Sequence, residues 1–210
     1  MAARSSPPLG ARAPFDQRIA RVLVRPLAHT AISPNQITTA TLGLALIAAA
    51  LFATGGTPAI HWAAGAFALA RFLDHFDGEL ARLTDRTSRF GYYFDYASGG
   101  LGYAAIFAGI GIGLARGPLG DWALALGALG TIAALVSMVL NLRLDRAAVA
   151  GGRETIGYPA TDGFELEDGI YLIAPATWIG WLDAFFVACG VGAAVYGLWT
   201  AGRVLRLRAV

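Results

Sequence analysis

The sequence predicts an all-α integral membrane protein of six transmembrane helices, preceded by a short amphipathic helix at the membrane surface. Three observations predict it. More than half of the 210 residues are hydrophobic and only 14% are charged, a membrane composition rather than that of a soluble domain. Apolar stretches recur at Ile37–Thr54, Ile60–Phe76, Phe90–Leu114, Trp122–Leu142, Ile170–Trp181 and Ala184–Leu205, and a span needs about 20 residues. The arginines fall on alternate connections. Arg4, Arg12, Arg18, Arg21 and Arg25 precede the first span, Arg82, Arg86 and Arg89 follow the second, Arg143, Arg146 and Arg153 follow the fourth, and Arg203, Arg206 and Arg208 end the chain. The opposite connections carry only Arg116. The positive-inside rule then places both termini in the cytoplasm and makes the number of spans even.

Taken in order, residues 1–13 are predicted to be disordered and residues 14–210 to form a single transmembrane domain. Phe15, Ile19, Val22 and Leu23 recur at helical spacing opposite Asp16, Arg18 and Arg21, the pattern of a helix lying on the cytoplasmic membrane surface. Ser33-Pro34-Asn35 provides a turn and a cap into the first span. The second stretch spans only if its charged end lies near the interface, and the fifth only if it starts near Phe164. Thr87 or Ser88 caps the third span, and Pro175 is expected to kink the fifth. Trp122, Trp178 and Trp181 read as interfacial anchors. Gly99, Gly100 and Gly102, with Gly190, Gly192 and Gly197, read as notches for helix packing. The single Cys189 excludes an intramolecular disulfide, and the small net charge gives no electrostatic footprint for nucleic acid.

Chemistry is carried by Asp74-His75-Phe76-Asp77-Gly78-Glu79-Leu80-Ala81-Arg82, which brings carboxylates into apolar sequence. One such group at a helix centre costs about 2.5–3.5 kcal/mol on insertion scales, so intramembrane carboxylates pair, line a wet cavity or hold a cation. Asp74 and Asp77 share a helix face, and Asp95 lies about two turns into the next span. The second span leaves and the third enters on the same side, so the three aspartates can converge in an oxygen-rich pocket open to the cytoplasm. Oxygen-only ligands favour Mg²⁺, Mn²⁺ or Ca²⁺. His75 is rotated roughly 100° from Asp74 about the helix axis, and a structural role is expected for it.

Asp74-x-x-Asp77-Gly78-x-x-Ala81-Arg82, then after eight residues Gly91-x-x-x-Asp95, resembles the signature of the CDP-alcohol phosphotransferases, DxxDGxxAR followed by GxxxDxxxD. Ser33-Pro34-Asn35-Gln36-Ile37-Thr38 is similar to the segment that opens that family's first span. The resemblance implies six transmembrane helices around a polar cavity, in homodimers. It implies transfer of a substituted phosphate from a CDP-linked donor, CDP-diacylglycerol or a CDP-alcohol, to an alcohol acceptor with release of CMP. It further implies that Asp74, Asp77 and Asp95 are ligands to Mg²⁺ or Mn²⁺, and that Gly78, Ala81 and Arg82 contact the nucleotide. The expected setting is a bacterial inner membrane, with the site on the cytoplasmic side and membrane lipid as a partner.

One position departs from the pattern. Gly99 stands where the family carries a fourth aspartate, its proposed general base and a metal ligand. The catalytic residue is therefore left open, with Glu165, Glu167 and Asp168, at the start of the fifth span, as candidates. Ser98 or water relaying the proton at a single well-held metal is a second route. A catalytically inactive relative that binds nucleotide or dimerises with an active partner is the alternative reading, and a transporter with ion-binding aspartates the more distant one. Glu79 either sets head-group specificity or balances Arg82 or Arg86. Arg143, Arg146 and Arg153 either grip an acceptor phosphate or only obey the positive-inside rule, with Asp145 pairing locally beside them.

Overall fold

Helix starts in this chain are set by local chemistry. In the computed structural model, which describes residues 15–152, 160–161 and 164–207, Ser33 caps the helix α2 (Pro34–Thr54). Its Oγ accepts from the Gln36 N–H at 3.3 Å, and Gln36 Oε1 accepts from the Ser33 N–H at 2.8 Å, a reciprocal capping box with Pro34 in the first turn. Before it lie α1 (Phe15–Leu23) and a 3₁₀ turn at Arg25–His29. Gly55, at φ 70°, ends α2 and lets α3 (Thr57–Leu83) turn straight back along it. Ser88 caps α4 (Arg89–Leu114) by accepting from the Gly91 N–H at 2.9 Å. Then come α5 (Asp121–Ala150), a two-residue antiparallel pair β1 (Ala160–Thr161) and β2 (Phe164–Glu165), a 3₁₀ segment at Leu166–Leu172, α6 (Ile173–Trp178) and α7 (Leu182–Leu207). The predicted disorder of residues 1–13 lies outside the described residues.

Among the described residues four helices, α2, α4, α5 and α7, are long and apolar enough to cross a membrane. The other two predicted spans differ from them. α3 is 27 residues long but carries Arg71, Asp74, Asp77, Glu79 and Arg82 in its C-terminal half. The fifth stretch is not one regular helix: it is a 3₁₀ segment followed by the six residues of α6. Pro175 explains the break. It sits in the first turn of α6, where a missing N–H has no intrahelical partner to lose, whereas a helix running through from Phe164 would hold Pro175 in its interior. The segment nevertheless follows α3 closely. Tyr171 meets the Asp16–His75 pair at one end, and Trp178 Nε1 donates to the His61 carbonyl at 3.2 Å at the other. His61 and His75 are fourteen residues apart on α3, about 21 Å along its axis.

The core is built on small residues. Ala45, Ala48, Ala49 and Phe52 form one face of α2 and pack with Ala63 and Phe67 of α3 and Ile106 and Ile110 of α4. α2 and α4 touch backbone to backbone: a Cβ on Gly109 or Gly113 would fall inside van der Waals contact with the carbonyls of Ala49 and Phe52. α4 and α5 meet in the same way at Gly111 and Gly127, where an added Cβ would lie 2.9–3.0 Å from the facing Cα. The predicted notches are corrected in part. Gly100 accommodates Met138 and Gly102 lies against Ala45, but neither Gly99 nor Gly192 has another atom within 4 Å of a built Cβ. Outward-facing Ile132 and Val136 of α5 and Val191, Val195 and Leu198 of α7 are exposed, as lipid-facing side chains are.

Candidate functional site

Three helix ends meet at the carboxylates. Asp77 lies six residues before the end of α3 and Asp95 six residues after the start of α4, so the short 84–88 connection puts them at equal depth, about 9 Å in. Asp74 lies one turn further along the same face of α3. One carboxylate oxygen from each of Asp74, Asp77 and Asp95 comes within 4.8 Å of the others, a separation that the coordination sphere of one hard divalent cation can bridge. The donor set, all oxygen, fits Mg²⁺ or Mn²⁺. Asp77 is buried, while Asp74 and Asp95 are half-buried.

The N-terminal part of α2 supplies two neighbours that sequence reasoning did not single out. Thr38 donates to Asp77 Oδ2 at 2.5 Å, and Thr41 Oγ1 lies 3.5 Å from Asp74 Oδ1. Their signal was two hydroxyls one turn apart on an apolar helix. Arg71, also missed, donates from Nη1 to Asp74 Oδ2 at 3.1 Å and rests its guanidinium 4.9 Å above the Tyr103 ring. Beside these groups lies a narrow cleft lined by Thr41, Arg71, Asp74, Ser98, Gly102 and Tyr103 among others.

At the cytoplasmic-side end of α3, as the sequence predicts it, Arg82 folds back along the helix. Its Nη2 donates to Glu79 Oε1 at 2.8 Å, and its Nη1 lies 3.4 Å from where a Cβ on Gly78 would stand. A side chain at Gly78 would only reach ordinary contact with the guanidinium, and Ala81 sits one turn beyond Asp77. Glu79 is buried and shared, since Arg21 of α1 reaches it at 3.3 Å. Gly91 is hemmed by Ser88 Oγ and Asn35 Oδ1, 3.1 and 3.2 Å from a built Cβ, which draws the starts of α2 and α4 together.

α1 is clamped to α3 through its polar face. Asp16, only 2% exposed, accepts from His75 at 2.7 Å and from the Tyr171 hydroxyl at 3.0 Å, while Ile19, Val22 and Leu23 point outward. His75 therefore faces α1. Burial works to raise the Asp16 carboxyl, but the hydrogen bond and charge of His75, the Gln17 N–H and the Tyr171 hydroxyl hold it below its ordinary 3.8. A carboxyl depressed by folding stabilises the fold fully above its unfolded value and loses that contribution as pH falls through the folded one. The Asp16 carboxylate's contribution is thus complete at neutral pH and is lost in acid. Asp16→Ala is expected to weaken it by about 1–3 kcal/mol, read as faster tryptic cleavage after Arg18 and Arg21 at pH 7.5.

No replacement for the fourth carboxylate joins the cluster among the described residues. Gly99, one turn beyond Asp95, faces open space. Asp168 is half-buried at the start of the fifth stretch and outside the cluster, and the side chains of Glu165 and Glu167 lie outside the described residues, as does Arg153. Asp145 is buried and accepts from Tyr92 at 3.2 Å and from Tyr96, both on α4. Arg146 stacks 5.0 Å over Tyr93.

Crystal structures of the phosphatidylinositol phosphate synthase of Mycobacterium tuberculosis share this fold. The structure with CDP-DAG bound matches with a TM-score of 0.60 and 19% identity, over 88% of this chain and 92% of that one. The structure with manganese and citrate matches with a TM-score of 0.58 and 20% identity, over 91% and 89%. No curated protein matches the chain in sequence. The sequence profile of the CDP-alcohol phosphatidyltransferases matches residues 31–199, from the cap of α2 into α7, and so takes in every aspartate and arginine of the site except those of α1. The chain belongs to the CDP-alcohol phosphatidyltransferase family.

Proposed function

We propose that this protein transfers a substituted phosphate from a CDP-linked donor to an alcohol and releases CMP, in the synthesis of phospholipids or related polar head groups. The observation that carries the reading is the convergence of Asp74, Asp77 and Asp95, with oxygens within 4.8 Å of one another, inside a chain of this family. These three residues would hold a divalent ion, Mg²⁺ or Mn²⁺. Such an ion, when bound, neutralises charge on the diphosphate and on the departing CMP.

The chain's own groups do the rest. Thr38 fixes the rotamer of Asp77, so one of its oxygens stays directed at its neighbours. Arg82, held by Glu79 and lying against Gly78, would meet the nucleotide phosphates, with Gly78 and Ala81 in contact beside it. The acceptor oxygen bonds to the phosphorus that bears the substituent, the bond from that phosphorus to the bridging oxygen breaks, and CMP leaves. The acceptor proton is relayed to solvent through Ser98 or water in the cleft beside Asp74, or is taken by the carboxylate of Glu165, Glu167 or Asp168. A CDP-diacylglycerol donor is in keeping with the CDP-DAG-bound structure of the same fold.

Six crossings belong to the same reading, with α3 and the unit from Leu166 to Trp178 as the two polar or irregular ones, α1 on the cytoplasmic membrane surface, and residues 14–210 as one domain. The setting would be a bacterial inner membrane with both termini and the site in the cytoplasm, and the assembly a homodimer, testable by cross-linking in membranes.

Gly99 favours a second reading, an inactive relative that keeps the scaffold. CMP release by the purified chain in detergent, with Mn²⁺ or Mg²⁺ and a panel of CDP-linked donors and alcohols, separates the two. The native chain is expected to release CMP. Gly99→Asp, whose side chain enters open space, is expected to raise that rate by about tenfold or more. CMP from Gly99→Asp alone would establish the inactive relative.

A further inference from the structure

The first turns of α4 are held by two neighbouring residues of α5. Asp145, 2% exposed, has among its partners the Tyr92 hydroxyl, which donates at 3.2 Å, and the Tyr96 hydroxyl. Both phenols donate to the same oxygen, Oδ2. Their rings also lean on each other, with centroids 5.2 Å apart, so the pair moves as a unit. The next residue of α5, Arg146, stacks 5.0 Å over Tyr93. The contacts further in, Gly100 against Met138 and Gly111 against Gly127, are apolar and set the separation of the two helices. The bonds at Asp145 are directional, and they set the angle and height of α4.

Asp95 lies inside this grip. Tyr92 precedes it by three residues and Tyr96 follows it by one, so its side chain leaves α4 about 60° and 100° away from theirs. With the phenols turned to α5, Asp95 is turned to another flank, where it meets Asp74 and Asp77 of α3. Asp145 stands five residues before the end of α5 and Asp95 six after the start of α4, so the two are at matching heights. A carboxylate stands about 6 Å from the helix axis, and turning α4 by about 20° would carry it about 2 Å sideways. A hard divalent ion tolerates less, since a binding geometry has to hold within about 0.5 Å. We infer that Asp145 is a positioning residue for the metal-binding cluster. It receives Tyr92 and Tyr96 and thereby aims Asp95 at Asp74 and Asp77, acting from outside the cluster itself.

The inference rests on the proposed function only in taking the three aspartates as metal ligands, and its test reads binding rather than turnover. Purified full-length chain in detergent is titrated with Mn²⁺ well below the melting temperature of each variant, the free ion being followed by electron paramagnetic resonance. A purely structural hold would lower the melting temperature and leave the affinity of the folded chain unchanged. Tyr92→Phe combined with Tyr96→Phe, which removes both hydroxyls and keeps both rings, is expected to weaken Mn²⁺ binding by about tenfold. Asp145→Ala is expected to weaken it by about tenfold or more. Asp145→Asn, whose amide oxygen still accepts from the phenols, is expected to stay near the native affinity. A double phenylalanine variant that binds like the native chain would overturn the inference and leave the ligand reading of the aspartates standing. So would an Asp145→Asn variant as weak as that double variant, because the ion would then sense the charge of Asp145 and not its hold on α4. Should Asp145→Ala fail to fold, the phenylalanine and asparagine variants still decide. Absence of Mn²⁺ binding by the native chain, or binding that survives Asp77→Ala, would overturn the ligand reading and the inference with it.

Discussion

Asp77→Ala is expected to lower metal-dependent CMP release by about a thousandfold while the chain stays folded. Asp77 is the most enclosed of the three clustered carboxylates, 5% exposed, and the one whose orientation is set by a second helix through Thr38. Its loss leaves two half-buried ligands on different helices. The fold should not suffer, because Asp74 and Asp77 are like charges one turn apart and removing one relieves their repulsion. Thermal unfolding in detergent separates the two effects. Without added metal the variant should melt at or above the native temperature, and the rise that Mn²⁺ gives the native chain should disappear. A variant that melts well below the native chain would mean that Asp77 is structural first.

Gly109→Val is expected to prevent accumulation of folded protein. A Cβ at Gly109 would stand 2.9 Å from the Ala49 carbonyl carbon and 3.0 Å from its Cα, closer still to its oxygen. These are backbone atoms in mid-helix, so no rotamer change yields space, and α2 must move off α4. Overpacking of this kind costs about 1–3 kcal/mol where side chains can shift, and more is expected here. The displacement would also carry Thr38 and Thr41 away from the aspartates. Gly192→Ala, at a position with nothing within 4 Å of the new carbon, is the matched control and should leave the melting temperature near native. Size-exclusion profiles and melting curves of the two variants, made in parallel, would check this. Equal behaviour would remove the close approach of α2 and α4 from the account.

The parts legible in the sequence are those decided by local chemistry. Ser33 and Ser88 cap helices through bonds to residues three positions on, and both stand where the sequence puts a cap. Asp74, Asp77 and Asp95 declare themselves because carboxylates in apolar sequence need a reason, and helical periodicity with a short connection is enough to bring them together. Thr38 and Thr41 gave no such contrast, since threonine is unremarkable in an apolar helix. The environment of a glycine was the least legible. Whether Gly99 meets a neighbour depends on which helix arrives beside it and at what height, so its reading as a notch did not hold while Gly109 and Gly113 went unnamed. The phenolic partners of Asp145 were hidden for the same reason, since they come from α4. The fifth stretch passed a hydropathy test that is blind to backbone donors, and Pro175 turned it into a 3₁₀ segment and a short helix.

The clamp on Asp16 has a consequence for the order of assembly. Arg21 and Glu79 are 58 residues apart in the chain, whereas Asp16 and Tyr171 are 155 apart. At about 5–20 residues per second, synthesis of the longer interval takes roughly 8–30 s. During that time α1 can dock on α3 through His75 and Glu79, with the Tyr171 hydroxyl still to come. Closure of the N-terminal helix is thereby open to an early step, possible as soon as α3 is made, and a late one that waits for the segment bearing Tyr171. The buried carboxylate of Asp16 thus links α1 to a segment that is made late in the chain.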